Sequence, residues 1–258
     1  MWRRKWINRF LIRPVAMVLM RVEIEGRENI PPGPFILMAN HINSIDPVVA
    51  GLAIYPRDAM FMVKVENAQH RFLRDFFYAY GAVPVERGEA DLGALRRAVE
   101  VLTVDRDILY VSPEGTRSRD GRLREAKNGM AYVALRAEAP ILPVAITGVE
   151  AFGDNLRRGR RTPVRARVGY PFYLRAPGRD AGQRRARKEV LSAMTREAMY
   201  QLAALLPPEQ RGAYADVARA TEEHLGFFDP VRSNLELVGR PDARSGNVVR
   251  MRFVGVTR

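Results

Sequence analysis

Short apolar runs alternate with segments of helical periodicity through most of the chain. Apolar runs typical of strands occupy residues 22–24, 35–39, 59–65, 82–86, 108–111 and 141–146. Helical spacing, or a run bounded by helix start and stop residues, occupies 47–53, 69–80, 91–102, 129–136 and 184–206. This alternation predicts an α/β fold: a single domain with a central, mostly parallel sheet flanked by helices.

Three stretches give predictions about single elements. In the helix at 91–102 the pattern places four apolar residues on one side: Leu92, Leu95, Val99 and Leu102. Residues 164–173 are predicted to form a final strand or hairpin. Residues 248–256 are predicted to be a strand or a loosely attached tail.

The first 21 residues combine basic and apolar side chains and contain no acid. The basic residues are Arg3, Arg4, Lys5, Arg9, Arg13 and Arg21, and both tryptophans of the chain, Trp2 and Trp6, lie among them. Arg9, Arg13 and Pro14 interrupt the apolar run, which falls short of the roughly 20 residues that a membrane-spanning helix needs. The mixture predicts an amphipathic helix in a membrane interface. The alternative is a helix packed on the protein's own core with its basic face in solvent.

Composition narrows the chemistry. The chain of 258 residues has no cysteine, which excludes disulfides, thiolate nucleophiles and cysteine metal sites. Its three histidines, His41, His70 and His224, are far apart, so a histidine-rich metal site is not expected. The net charge of +13 favours a polyanion, which can be an anionic membrane, a phosphorylated substrate or nucleic acid. A basic nucleic-acid-binding protein is the competing class, but no nucleic-acid module is recognisable and the aromatics lie in apolar periodic segments.

His41 and Asp46 lie five residues apart, directly after the predicted strand at 35–39. A neutral imidazole can remove a proton from a hydroxyl, and a carboxylate on its other nitrogen fixes the tautomer and stabilises the imidazolium. A continuous helix would point the two side chains apart, so the pair requires a turn between them. Asn-Ser at 43–44 is turn chemistry, and Asp-Pro at 46–47 is typical of a helix start. The alternative is that Asp46 only caps a helix and His41 is a surface residue.

A second polar segment, residues 112–118, follows the predicted strand at 108–111. Ligand sites of α/β proteins collect at such carboxyl ends of strands. The segment offers a glycine for close backbone approach, two hydroxyls and a guanidinium suited to phosphate: Gly115, Thr116, Ser118 and Arg117. Glu114 is predicted to bind a substrate hydroxyl or to hold an arginine in place. The alternative is a capped loop with a surface ion pair.

In this order and spacing, the segments resemble four sequence blocks of the glycerolipid acyltransferase family, and most closely its 1-acylglycerol-3-phosphate acyltransferases. The first block, N-H-x-x-x-x-D, matches Asn40, His41 and Asp46. The second, a strand ending in arginine, matches residues 81–87, and the third, F-P-E-G-T-R-S, matches 113–118, with Ser112 where an aromatic or aliphatic residue is usual. The fourth, a proline-bounded apolar strand, matches 140–146. Family lysines are matched by Lys64 and Lys127, and the resemblance covers about residues 20–215.

The resemblance implies an acyltransferase that moves a fatty acyl group from acyl-CoA or acyl carrier protein to the free hydroxyl of a lysophospholipid. Lysophosphatidate is the favoured acceptor; glycerol-3-phosphate, another lysophospholipid or a glycolipid are alternatives. His41 would be the general base and Asp46 would orient it. The implied substrate-binding residues are Lys64, Arg87, Glu114, Gly115, Thr116 and Arg117. Among these, Arg87 and Arg117 would bind the acceptor phosphate, while Lys64 or backbone N–H groups near Gly115 would stabilise the oxyanion.

The resemblance also implies the surroundings of the site. No metal or prosthetic group is implied; the acyl thioester is a co-substrate. Residues 1–21 would attach the protein peripherally to the cytoplasmic face of the cell membrane, 22–215 would form the acyltransferase domain, and 216–258 would be an extension of unassigned role. Membrane lipids are expected partners and nucleic acid is not, while the oligomeric state stays open. Arginine-rich stretches at 157–167 and 175–188 are expected to be mostly solvated, although anionic lipid, CoA phosphates or an acidic carrier protein could bind them.

Overall fold

A sheet, of which ten strands fall within the described residues, lies at the centre of the protein. The computed structural model describes residues 2–64, 82–85, 92–176, 184–228, 233–238 and 249–250. The strands are β1 Met20–Glu25, β2 Ile36–Ala39, β3 Ala59–Lys64, β4 Val83–Val85, β5 Ile108–Val111, β6 Ile141–Thr147, β7 Thr162–Val168, β8 Phe172–Leu174, β9 Leu225–Phe227 and β10 Val249–Arg250. Their order is β10-β1-β7-β6-β2-β5-β3-β4, while β8 pairs with β6 and β9 pairs with β8.

The sheet is mixed, with a parallel part that carries the site. Strands β6, β2, β5, β3 and β4 are neighbours and run parallel to one another. β7 is antiparallel to β6, and β1 joins β7 in parallel. The predicted α/β fold with flanking helices is therefore confirmed, with antiparallel pairs at one side of the sheet.

Helices cover both faces of the sheet, which explains why its central strands are apolar throughout. The helices are α1 Trp2–Ile7, α2 Arg13–Leu19, α3 Asp46–Ala53, α4 Leu92–Thr103, α5 Gly129–Ala137, α6 Phe152–Arg157 and α7 Arg184–Ala203, and a π-helical turn, Asn8–Ile12, joins α1 to α2. β2 points Ile36 and Met38 toward α4, α5 and α7. It points Leu37 and Ala39 toward α2 and α3.

Two predictions about individual elements need correction, and a third concerns residues that the structure does not describe. Leu92, the first residue of α4, is 69% exposed, whereas the other three predicted residues face the core: Leu102 is buried, and Leu95 and Val99 pack against the core. Residues 164–173 form two strands, β7 and β8, each antiparallel to β6, and they are not the last strands of the chain. The helix predicted at 69–80 lies outside the described residues.

Residues beyond 216 join the sheet through β9, which pairs with β8, and β10, which pairs with β1. Buried Asn234 fixes this segment. Its backbone N–H and side-chain amide donate to Gln201 Oε1 at 2.9 and 3.0 Å, and its Oδ1 accepts the N–H of Tyr170 at 2.7 Å. The C-terminal segment thus packs against α7 and the turn between β7 and β8.

The N-terminal helical segment, residues 2–19, uses its arginines differently from the prediction. Arg4 is buried and pairs with Asp107, and the Arg13 guanidinium lies 4.0 Å from the ring centroid of Tyr55. The large apolar side chains exposed here are Trp6, Phe10, Leu11, Val15 and Val18. One side of the segment therefore packs on the core, and its exposed side is largely apolar. Within the described ranges, no helix is both long and apolar enough to cross a membrane.

Candidate active site

The turn between β2 and α3 brings His41 and Asp46 together. His41 Nδ1 lies 3.0 Å from Asp46 Oδ2, and the same oxygen accepts the backbone N–H groups of Ile42 at 2.6 Å and Asn43 at 2.8 Å. The Asp46 side chain is fully buried, whereas 18% of the His41 side chain is exposed. Asp46 is the first residue of α3, and Ile45 takes the N-cap position without a side-chain cap. The alternative in which Asp46 is only an N-cap is therefore wrong.

These contacts determine which imidazole nitrogen can take part in chemistry. An ionised carboxylate only accepts hydrogen bonds, so His41 Nδ1 carries the proton in its bond to Asp46. Nε2 is then the nitrogen left to accept a proton from a substrate hydroxyl. A general base with an orienting acid would need this arrangement.

Two buried polar side chains hold the backbone on either side of the His41 ring. Asn40 Nδ2 donates to the Ile146 carbonyl and Asn40 Oδ1 accepts the Ile146 N–H, both at 2.8 Å, so the end of β2 is tied to β6. Glu114 Oε1 accepts the N–H of His41 and Oε2 accepts that of Arg124, both at 2.9 Å. Burial raises the pKa of the Glu114 carboxyl in spite of these two bonds.

Glu114 therefore differs from its predicted role. Both of its oxygens accept backbone N–H groups, and the side chain is only 3% exposed. It contacts the His41 backbone instead of an arginine side chain. Together with the bond from the Ser118 N–H to the His41 carbonyl at 2.7 Å, it joins the 112–118 loop to the catalytic turn.

Gly115 lies at a close approach between this loop and Lys127. Its φ is +67°, which favours glycine, and a Cβ there would lie 3.2 Å from Lys127 Cδ and 3.7 Å from Nζ. The Gly115 N–H donates to the Ser112 carbonyl at 3.1 Å, so this predicted oxyanion donor already has an acceptor. The N–H groups of Thr116 and Arg117 bond to no acceptor in the described part of the chain. Lys127 is one of the two lysines that match family lysines, and the sequence alone assigned it no role.

A tyrosine beside the dyad was missed by the sequence reasoning. Tyr110 of β5 is buried, and its hydroxyl lies 2.9 Å from Ser112 Oγ. Burial, reinforced by the negative charge of Asp46, raises the pKa of Tyr110 well above its ordinary value, so the phenol stays neutral. Ser112 thus supplies a polar partner where the family usually has an aromatic or aliphatic residue. That departure from the motif was the available sequence signal.

Two cavities adjoin the catalytic turn. A polar cleft of about 630 Å³ has Asn43, Thr116, Arg117, Arg119 and Glu150 on its walls. A mostly apolar groove of about 200 Å³ lies between the N-terminal helical segment, α3 and β3. Its lining includes Ile12, Pro47, Val48, Gly51, Leu52, Tyr55 and Phe61. The turn at 42–48 contributes Ile42 and Asn43 to the polar cleft and Ser44, Pro47 and Val48 to the apolar groove, so both cavities lie beside the turn that holds the dyad.

Of the remaining predicted residues, three lie within the described ranges and one lies outside them. Thr116 and Arg117 are exposed in the polar cleft. Lys64 is the last residue of β3, at the carboxyl edge of the parallel strands, because Phe61 pairs with Tyr110 of β5. Arg87 lies outside the described residues.

Comparisons with known proteins show which family this chain is similar to. The family model described as Acyltransferase matches residues 21–147, which hold the dyad, Glu114 and the loop that follows it. Over these residues the chain is similar to that family, and the resemblance seen in the sequence is confirmed there.

Similar curated proteins carry a more particular name, 1-acyl-sn-glycerol-3-phosphate acyltransferase. The one from Bacillus subtilis (strain 168) is 26% identical over 154 residues, which is 59% of this chain and 74% of that protein. The one from Limnanthes douglasii is 30% identical over 146 residues, which is 55% of this chain and only 51% of that protein. The crystal structure of the 1-acyl-sn-glycerophosphate acyltransferase PlsC from Thermotoga maritima shares the fold, with a TM-score of 0.50 and 24% identity over 76% of this chain and 78% of that one.

Proposed function

We propose that this protein transfers a fatty acyl group from an acyl thioester to the free hydroxyl of lysophosphatidate, giving phosphatidate. The observation that carries the proposal is the 3.0 Å contact between His41 Nδ1 and buried Asp46 Oδ2, in a turn whose other residues line a polar cleft and an apolar groove. The names of its relatives support this acceptor.

The chemistry starts at His41 Nε2, which removes the proton of the acceptor hydroxyl as the oxygen attacks the thioester carbonyl. Asp46 stabilises the imidazolium that forms. The tetrahedral intermediate then collapses: the C–S bond breaks, the ester is complete, and the imidazolium returns its proton to the leaving sulfur. The donor is acyl-CoA or acyl carrier protein, and no step requires a metal or a prosthetic group.

The oxyanion of the intermediate needs donors aimed at it. The closeness of the Lys127 side chain to Gly115 supports a role for its ammonium, and the N–H groups of Thr116 and Arg117 are further candidates. Lys64, at the same edge of the sheet, remains a proposed contributor. Each of these groups would act more strongly in a site from which the bound acyl chain excludes water.

The polar cleft is assigned to the acceptor headgroup. Arg117 offers a planar fork that fits two phosphate oxygens, and Arg119 lies in the same cleft. Arg87 is proposed as a second phosphate ligand on the grounds of the family motif alone. Glu114 lies behind the cleft as a positioning residue, because its oxygens hold backbone N–H groups.

The apolar groove is assigned to the acyl chain. Gly51 lies in the last turn of α3 and lines the groove, and a Cβ added there would meet nothing within 4 Å. The N-terminal segment forms one wall, so the groove adjoins the exposed apolar residues of that segment. We propose that this exposed face docks the protein on a membrane, from which substrates reach the site.

The proposal is tested by measuring acyl transfer from acyl-CoA and from acyl carrier protein to lysophosphatidate, glycerol-3-phosphate and other lysolipids. Lysophosphatidate should be the best acceptor, and His41→Ala should abolish turnover without changing the thermal unfolding midpoint. His224→Ala is the matched control, because His224 Nδ1 lies 3.2 Å from buried Glu197 and is similarly exposed. Its neighbours line neither cavity, whereas Ile42 and Asn43, next to His41, line the polar cleft. Full activity of His41→Ala, or no transfer to any acceptor, would refute the proposal.

A further inference from the structure

α6 and the turn after it lie at the same edge of the sheet as the candidate active site. Thr147, at the end of β6, pairs with Arg165 of β7, so Thr162 at the start of β7 lies beyond that end. Met20, at the start of β1, pairs with Thr162. Because β6 is parallel to β2, the 158–161 turn and the end of α2 share the carboxyl edge with His41.

The 158–161 turn is well ordered by its own backbone. The Arg160 N–H donates to the Asn155 carbonyl at 2.8 Å, and the Arg158 N–H donates to the same carbonyl at 3.1 Å. Gly159 adopts a φ of +61°, which reverses the chain. The turn therefore places the exposed side chains of Arg158 and Arg160 next to Arg157, which pairs with Asp154.

Arg161 connects this turn to the N-terminal helical segment. Its Nη2 donates to the carbonyls of Met17 at 2.5 Å and Met20 at 2.7 Å, at the end of α2. Val18 on α2 is 60% exposed and Leu156 on α6 is 49% exposed. The basic 158–161 turn therefore lies between the exposed apolar side chains of α2 and α6.

The arginines of the turn differ from those that follow them in β7. Arg165 and Arg167 lie near carboxylates of β1: Arg167 Nε is 3.2 Å from Glu25, and Arg165 Nε is 3.6 Å from the same residue. Arg158 and Arg160 form no ion pair with a carboxylate in the described ranges. Their charge is therefore available to an external anion.

We propose that α6 and the 158–161 turn are a second membrane contact, in which Arg158 and Arg160 bind phosphates of anionic lipid headgroups and Leu156 enters the acyl boundary. The proposal rests on the proposed function, and it adds how the protein would be oriented on the membrane. The N-terminal segment alone gives one line of contact, and α6 adds a second at the same edge. The two together would hold the mouth of the cleft against the bilayer.

The test is the partition of the full chain onto vesicles of phosphatidylcholine with phosphatidylglycerol, for the parent, Arg158→Ser/Arg160→Ser, and the matched control Arg96→Ser/Arg136→Ser. The control removes the same charge from exposed positions on α4 and α5. Each basic residue at an anionic surface contributes about fivefold to binding, so the first pair should lower partition about 30-fold at low salt. The control should remain close to the parent, and thermal unfolding should be the same for all three.

Three results would overturn the inference: no binding by the parent, unchanged binding of the Arg158→Ser/Arg160→Ser pair, or an equal fall in the control, which would indicate net charge alone. If the Arg158→Ser/Arg160→Ser variant binds vesicles normally but loses activity only with acyl carrier protein as the donor, the turn binds the carrier protein instead. Acyl transfer by the parent in detergent micelles is measured separately. Its absence would contradict the proposed function without bearing on vesicle binding.

Discussion

Replacing Asp46 with asparagine removes one charge from the buried end of the dyad while nearly preserving its shape. Three N–H donors, from Ile42, Asn43 and the His41 ring, converge on Oδ2 within 3.0 Å. Only an oxygen can accept them, so the amide oxygen should keep that place. The amide nitrogen then takes the position of Oδ1, which is buried without a partner among the described residues.

Two magnitudes follow from this placement. An unpaired buried amide nitrogen should lower the free energy of unfolding by about 1–3 kcal/mol. The imidazole keeps its tautomer, because Nδ1–H still meets an oxygen, so catalysis loses only the anionic character of the acceptor. A charged hydrogen bond exceeds a neutral one by about 1–1.5 kcal/mol, which corresponds to a fall in kcat of about 5- to 13-fold.

The assay follows the released thiol with a colorimetric thiol reagent, and the chain has no cysteine of its own to react. His41→Ala is the comparison and should lose far more activity than Asp46→Asn. The double variant should be no worse than His41→Ala, because the two residues act as a unit. Turnover of Asp46→Asn within about threefold of the parent would refute a catalytic role for the charge. A loss as deep as that of His41→Ala would refute the preserved tautomer.

Further predictions concern the cleft, the groove and the buried acid. Arg117→Ala should raise the KM for lysophosphatidate by at least about tenfold with little change in kcat, and an unchanged KM would contradict its role on phosphate. Gly51→Phe should shorten the preferred acyl chain in a competition of donors, while Gly51→Ala, the control, should keep the preference and raise helix stability by about 0.5–1 kcal/mol. Burial raises the pKa of Glu114 in the folded protein. The free energy of unfolding of the parent, relative to that of Glu114→Gln, should therefore fall as pH rises from about 4 through that raised pKa. Chemical denaturation across this pH range measures the difference, and a rise instead of a fall would contradict the burial argument.

The sequence by itself determined most elements and the central dyad. Strands β2, β5 and β6 lie where apolar runs predicted them, because a strand covered on both faces needs no polar alternation. The contact between His41 and Asp46 was predictable because it spans a single turn. Residues that close in sequence meet through local turn chemistry, whatever the rest of the fold does.

Tertiary structure decided the contacts between distant parts of the chain. Nothing near Glu114 in sequence indicates that its carboxylate would accept the N–H of His41, and Arg4 turns inward only because Asp107 faces it across the fold. Leu92 is exposed although Leu95 and Leu102 on the same side of α4 face the core, because the first residue of α4 lies beyond the elements that pack on the helix. Periodicity fixes the spacing of side chains within an element, but the partner across the interface decides which of them is buried and which polar group is paired.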